Sequence, residues 1–184
     1  MPDQTLSFSA PKASRSRLGP GVIAAALGLM FVSGTALASD RIELPKSEVP
    51  KASHEGVVNT VEGIAIKGYD PVAYFTDGKP VLGVPEITAQ FDGASWRFAT
   101  EAHRRAFVAH PAKYEPDFGG FCAYAVAHGQ KADIDPAAFT IVNGKLYLNY
   151  TLQARVLWRK DLPTELVDGD KNWPTVKLQT TVVR

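Results

Sequence analysis

The spacing of apolar residues changes several times along this 184-residue chain, and each change predicts a different element. An unbroken apolar run covers Val22 to Val32. Residues 39–56 are polar, contain Pro45 and Pro50, and hold no sustained period, which predicts a flexible arm. Strand signals begin near Val57, and Gly63-Ile64-Ala65-Ile66-Lys67-Gly68 is a short apolar run closed by glycine. Asp70-Pro71 predicts a turn or helix start, with proline at the first helical position. Ile87 to Phe91, then Asp92-Gly93, then Ser95 to Phe98 predicts a β-hairpin, since Asp-Gly between alternating runs fits a tight turn. Phe139 to Val142, Asn143-Gly144 and Lys145 to Tyr150 predict a second. On that second strand Tyr147 and Asn149 share one face, the more polar one, and Leu146, Leu148 and Tyr150 the other.

Helical signals fall between and after the hairpins. Thr100 is placed to cap a helix running to about Val108, before His110-Pro111. Thr151 to Asp161 has an amphipathic period and ends before Pro163. A short helix near 164–171 follows, and Asn172-Trp173-Pro174 is expected to end it. Trp158 and Trp173 are expected to pin these last helices to the sheet. Hairpins mixed with short helices predict an α+β fold, a small antiparallel sheet built from β-hairpins with short packed helices.

The apolar run near the start acquires meaning from its flanks. Lys12, Arg15 and Arg17 precede it, and Ala36-Leu37-Ala38 offers the small residues that a signal peptidase reads. Residues 1–38 therefore read as a secretory signal peptide cleaved near Ala38-Ser39, with delivery to the periplasm; the alternative is an uncleaved anchor. The run is short of the ~20 apolar residues that a spanning helix needs, and no later stretch is long and apolar enough. The full chain holds 20 Lys+Arg and 19 Asp+Glu, and removal of residues 1–38 leaves 17 and 18. A near-neutral mature chain argues against nucleic acid or an anionic membrane surface, both of which need a clustered positive field.

Cys122 is the single cysteine. Exported proteins usually pair their cysteines or have none, so a lone thiol is buried and inert, reactive, or a ligand. It follows Gly119-Gly120, whose backbone freedom permits a sharp turn. A helix starting there would put Cys122 in its first turn, where unpaired N–H groups favour the thiolate. The apolar neighbours Phe121, Ala123, Ala125 and Val126 favour instead a small buried hydrophobe.

Five blocks in order then resemble a known family: Gly68-Tyr69-Asp70-Pro71-Val72-Ala73-Tyr74-Phe75, Trp96-Arg97-Phe98-Ala99-Thr100, Pro111-Ala112-Lys113-Tyr114, Gly119-Gly120-Phe121-Cys122-Ala123-Tyr124 and Gly144 to Tyr150. Together they are similar to the exported bacterial YHS-domain proteins, over roughly residues 60–175. The resemblance implies a YHS-like domain at 57–175, a C-terminal tail at 176–184, and a link to metal ions. It carries over only in part. The family's cysteine positions hold Ala73, Ala99 and His103, and alanine binds no metal.

A replacement site for copper or zinc would draw on Cys122 and His103, since thiolate and imidazole suit both ions. His54, His110 and His128 are the other imidazoles. His103 and His110 would lie about 10 Å apart along one helix, too far to share an ion. Tyr69, Tyr74, Tyr124 and Tyr147 fall inside the matching blocks and are candidates to line a small-ligand pocket, against core packing as the plainer reading. Asp70 is expected to cap or turn the backbone beside Pro71. The reading that follows is a periplasmic, non-enzymatic YHS-domain protein that binds a metal ion or small ligand as an accessory or carrier. The alternatives are a thiol-dependent redox or hydrolytic protein using Cys122, and a structural protein-interaction module.

Overall fold

Two hairpins organise the fold, each closed by the Asx-Gly pair that its sequence offers. The computed structural model describes residues 41–43 and 57–184, all within one compact unit, Gly34–Arg184. The expected signal peptide, most of the 39–56 arm and His54 lie outside the described residues. The strands are β1 (Arg41–Ile42), β2 (Thr60–Val61), β3 (Ile64–Ala65), β4 (Val84–Phe91), β5 (Ala94–Phe98), β6 (Asp135–Val142) and β7 (Lys145–Asn149). The α-helices are α1 (Ala73–Thr76), α2 (Glu101–Ala109), α3 (Pro111–Tyr114), α4 (Ala123–Ala127), α5 (Leu152–Arg159) and α6 (Leu162–Val176). Asp92 and Asn143 take φ of 49° and 48° and the glycines after them 72° and 76°, the doubly left-handed pair that a tight hairpin turn requires.

The fold is α+β, as expected, but with two small mixed sheets. One has the order β1-β6-β7 and the other β2-β3-β5-β4. The hairpins β4–β5 and β6–β7 are antiparallel, whereas β1 pairs with β6 and β3 with β5 in parallel. Arg41–Ile42 thus departs from the flexible arm expected there, because its backbone completes the edge of β6. The Arg41 guanidinium also donates to the Phe75 carbonyl.

The β6–β7 hairpin is buried on both faces. Phe139, Ile141, Leu146 and Leu148 pack with Ala65, Trp96, Phe98 and Phe107 in one core. Val142 and Tyr147 turn the other way, against Phe118, Trp158, Leu166 and Trp173. The face expected to be more polar is therefore a second core, in which Tyr147 packs against Trp158 with ring centroids 5.1 Å apart. Both expected tryptophan anchors are in this core, at the hairpin's helical side.

Helix starts follow their caps. Thr100 accepts from the His103 N–H, and Thr151 from the Ala154 N–H. α6 does not stop at Trp173-Pro174 but runs to Val176. Leu162, Leu166, Gly169, Trp173 and Val176 form its buried stripe, a helical spacing maintained past the proline. Burial of Trp173 and Val176 outweighs the one backbone bond that Pro174 forgoes near the end of the helix.

Two left-handed turns pack against each other beside the cores. Ile66, Lys67 and Gly68 take φ of 40°, 58° and 79°, and Phe118, Gly119 and Gly120 take 54°, 59° and 77°. A β-branched residue at positive φ is strained. Asn59 ties the turns together. Its carbonyl accepts from Ile66 N–H at 2.9 Å, its N–H donates to Gly119 O at 2.8 Å, and its side chain donates to Gly120 O at 3.2 Å. Gly120 is required by space as well as by φ, since a Cβ there would sit 2.7 Å from Ile66 Cγ2.

Candidate functional site

Cys122 leaves the second left-handed turn and becomes the N-cap of α4. Its N–H donates to Ala132 O at 3.0 Å, and its backbone bridges to Leu148, so three segments fix its position. Sγ accepts from the Ala125 N–H at 3.4 Å, and the thiol makes a weak bond to Asn149 Oδ1 at 3.7 Å. Asn149 Oδ1 also accepts from the Tyr124 N–H at 3.1 Å. Two donors therefore converge on this buried amide oxygen, as expected for an oxygen rather than a nitrogen.

The thiol is 1 % exposed. Burial pushes its pKa above the ordinary value, while N–H groups of Ala125, Tyr150 and Tyr124 oppose the shift and the charge of Glu165 adds to it. Of the two readings the sequence left open, burial prevails over a helix-stabilised thiolate. α4 has only five residues, and the loss of hydration outweighs its N–H groups. Cys122 is held as a neutral thiol.

Cys122 lines a cavity of about 250 Å³, together with Tyr124, Ala125, His128, Gln130, Ala132, Tyr150, Ala154 and Val183. α4 supplies the thiol-bearing wall, and α5 the Ala154 wall. The C-terminal segment closes a third side. Val183 N–H donates to Lys131 O, and its carbonyl accepts from Asp133 N–H, each at 2.9 Å. His128 donates from Nδ1 to Tyr124 O at 2.8 Å, because a carbonyl only accepts. Nδ1 therefore carries a proton, which in a neutral ring leaves Nε2 as the acceptor. Its ring lies 4.3 Å from that of Tyr124. The cavity thus offers a soft thiol, an imidazole nitrogen and two phenol rings within a mostly small, apolar wall.

His103 belongs elsewhere. Its Nδ1 pairs with Asp70 Oδ2 at 2.7 Å, and its Nε2 lies 3.4 Å from Thr76 Oγ1. Asp70 is fully buried and does cap the turn beside Pro71, accepting from Val72 and Ala73 N–H with Oδ1 and from Ala99 N–H with Oδ2. Asp70 thus ties the 70s turn to α2. Cys122 and His103 engage different partners, and among the described residues no three His, Cys, Asp or Glu side chains group as a metal site. The donor set does not fit a copper or zinc ion held by that pair.

The four tyrosine candidates also separate. Tyr74 is buried and donates its hydroxyl to Pro136 O at 3.1 Å. Burial pushes its hydroxyl pKa up, and neighbouring Tyr69, Asp135 and Asp70 add to this. Tyr147 is a core residue with its hydroxyl against Asp117, and its pKa is raised by burial first and then by that carboxylate. Tyr69 is half-buried against the first core. Tyr124 lines the Cys122 cavity. Tyr150, from the last matching block, also lines the cavity, whereas Asn149, Ala154 and Val183 escape sequence reasoning as site residues, since a strand end, a helix and the C-terminal segment share no local motif.

Comparison with known proteins finds no matching family model, no matching curated protein and no matching solved structure.

Proposed function

We propose that this chain is an exported, non-enzymatic protein of the YHS-domain kind, which holds a small uncharged ligand against Cys122 as a periplasmic accessory or carrier. The observation that carries this reading is the cavity in which Cys122, Tyr124, His128 and Tyr150 meet. Its size lies just below the ~300–1,000 Å³ of pockets for drug-sized ligands, which favours a compact molecule. Alanine and valine walls favour an apolar body, and His128 Nε2 favours one hydrogen-bond donor on it. Phenol and indole have this chemistry. A protonated thiol bonded to an amide oxygen serves better as a soft lining group than as a nucleophile, which needs an activating base.

A thermal-shift titration with phenol and indole tests the reading. The melting temperature rises with ligand in the wild-type protein and does not rise in Ala154→Leu, which fills the cavity. Equal shifts in both proteins, or none in the wild type, would refute it. Parallel titrations with Cu(I) and Zn²⁺ separate the metal reading, which requires stoichiometric binding that Cys122→Ser loses.

A further inference from the structure

A second cavity, of about 410 Å³, lies away from Cys122 and is lined by Val61, Glu62, Ile64, Lys67, Arg97 and Asp133. It is built by the β2–β3 hairpin, the outward side of β5 and the strained turn that begins at Ile66. Arg97 lies between Trp96 and Phe98, which face the core, so its own side chain faces outward. Its stem runs beside Gly68, where a Cβ would approach Arg97 Cδ to 3.4 Å and Nη1 to 3.6 Å.

The charges lining the cavity are not equally engaged. Lys67 Nζ donates to Ile134 O at 2.7 Å and pairs with Asp133 Oδ2 at 3.0 Å. Burial alone would raise the Asp133 pKa, but hydrogen bonds from Lys67, the Ile134 N–H and Asn59 hold it below the ordinary value. Lys67 and Asp133 therefore neutralise each other. Arg97 is half-buried, and no carboxylate among the described residues pairs with its guanidinium. A half-buried guanidinium without a counter-charge presents a planar fork of donors that matches a carboxylate.

We propose that this cavity is a second binding site, for a small monocarboxylate seated on Arg97 with its apolar body against Val61 and Ile64. The planar fork of one guanidinium matches one carboxylate. Glu62, in the same lining, opposes a dianion such as phosphate more strongly than a monoanion. Asp133 is engaged by Lys67, and the guanidinium of Arg97 has no carboxylate partner among the described residues. This site is independent of the thiol cavity and of the reading built on it.

Titration of the ¹⁵N-labelled protein with benzoate, benzamide and inorganic phosphate tests the proposal. Benzoate shifts the amide signals of Val61, Ile64 and Arg97 saturably, and benzamide and phosphate bind at least tenfold more weakly. Arg97→Gln weakens benzoate at least tenfold, and Cys122→Ser leaves it unchanged. Equal binding of benzoate and benzamide in the wild-type protein overturns the proposal without recourse to any variant. Tighter binding of phosphate, or no saturable shift with benzoate, overturns it as well.

Discussion

At the scale of single residues, the chemistry open to the protein is set by which charges and thiols are engaged. Cys122 was legible as unusual from its count and its glycine-preceded position. Its burial was one of two readings left open, and the segments that decide it, around Leu148 and Ala132, come from distant parts of the chain. The protonated state predicts slow chemistry. At pH 7.5 the folded protein is alkylated by iodoacetamide at least tenfold more slowly than the same protein unfolded in guanidinium chloride, since only the thiolate attacks. Equal rates would mean an open, ionised thiol. His103 was legible as a helix residue but not as the partner of Asp70, 33 positions earlier. Asp70→Ala strands buried donors at Val72, Ala73 and Ala99 and lowers unfolding free energy in urea by about 3 kcal/mol or more, at ~1–3 kcal/mol for each donor left unpaired. A loss below 1 kcal/mol would show that Asp70 does not hold the turn.

At the scale of elements, both hairpins and the two Thr-capped helices were legible because their signals are local. An Asx-Gly pair or a capping hydroxyl acts on residues within a few positions. The end of α6 was not, since Trp173 and Val176 are held by the second core rather than by neighbours in sequence. Gly119-Gly120 signalled one of the two left-handed turns, but positive φ at Ile66 and Phe118 was not legible, because nothing about those residues favours it; Asn59 and mutual packing impose it. Gly120→Ala tests that packing. Placing alanine in the left-handed region costs ~1–2 kcal/mol, and overpacking against Ile66 a further ~1–3 kcal/mol. Urea unfolding should thus reveal a loss of about 2–5 kcal/mol. An unchanged midpoint would show that the two turns separate readily.

At the scale of the whole molecule, β6–β7 is a shared wall between two cores, and both proposed cavities lie near the segment that enters it. Asp133 joins that segment to Asn59 and Lys67 through its side chain, and to Val183 through its N–H. Its folded pKa is depressed below the ordinary 3.8. A depressed carboxyl contributes stability that is present above the unfolded value and lost as pH falls through the folded one. Urea midpoints of the wild type should therefore fall steeply below pH 3.8, and those of Asp133→Asn less steeply. Parallel declines would remove Asp133 from the acid response.

A small uncharged ligand in the cavity over Cys122 would shield the thiol from reagents in solution. The rate of Cys122 alkylation by N-ethylmaleimide should fall saturably as phenol or indole is added to the native protein. The same ligands should leave the rate unchanged in Ala154→Leu. Wild-type rates independent of both ligands, at concentrations up to their solubility, would contradict the account.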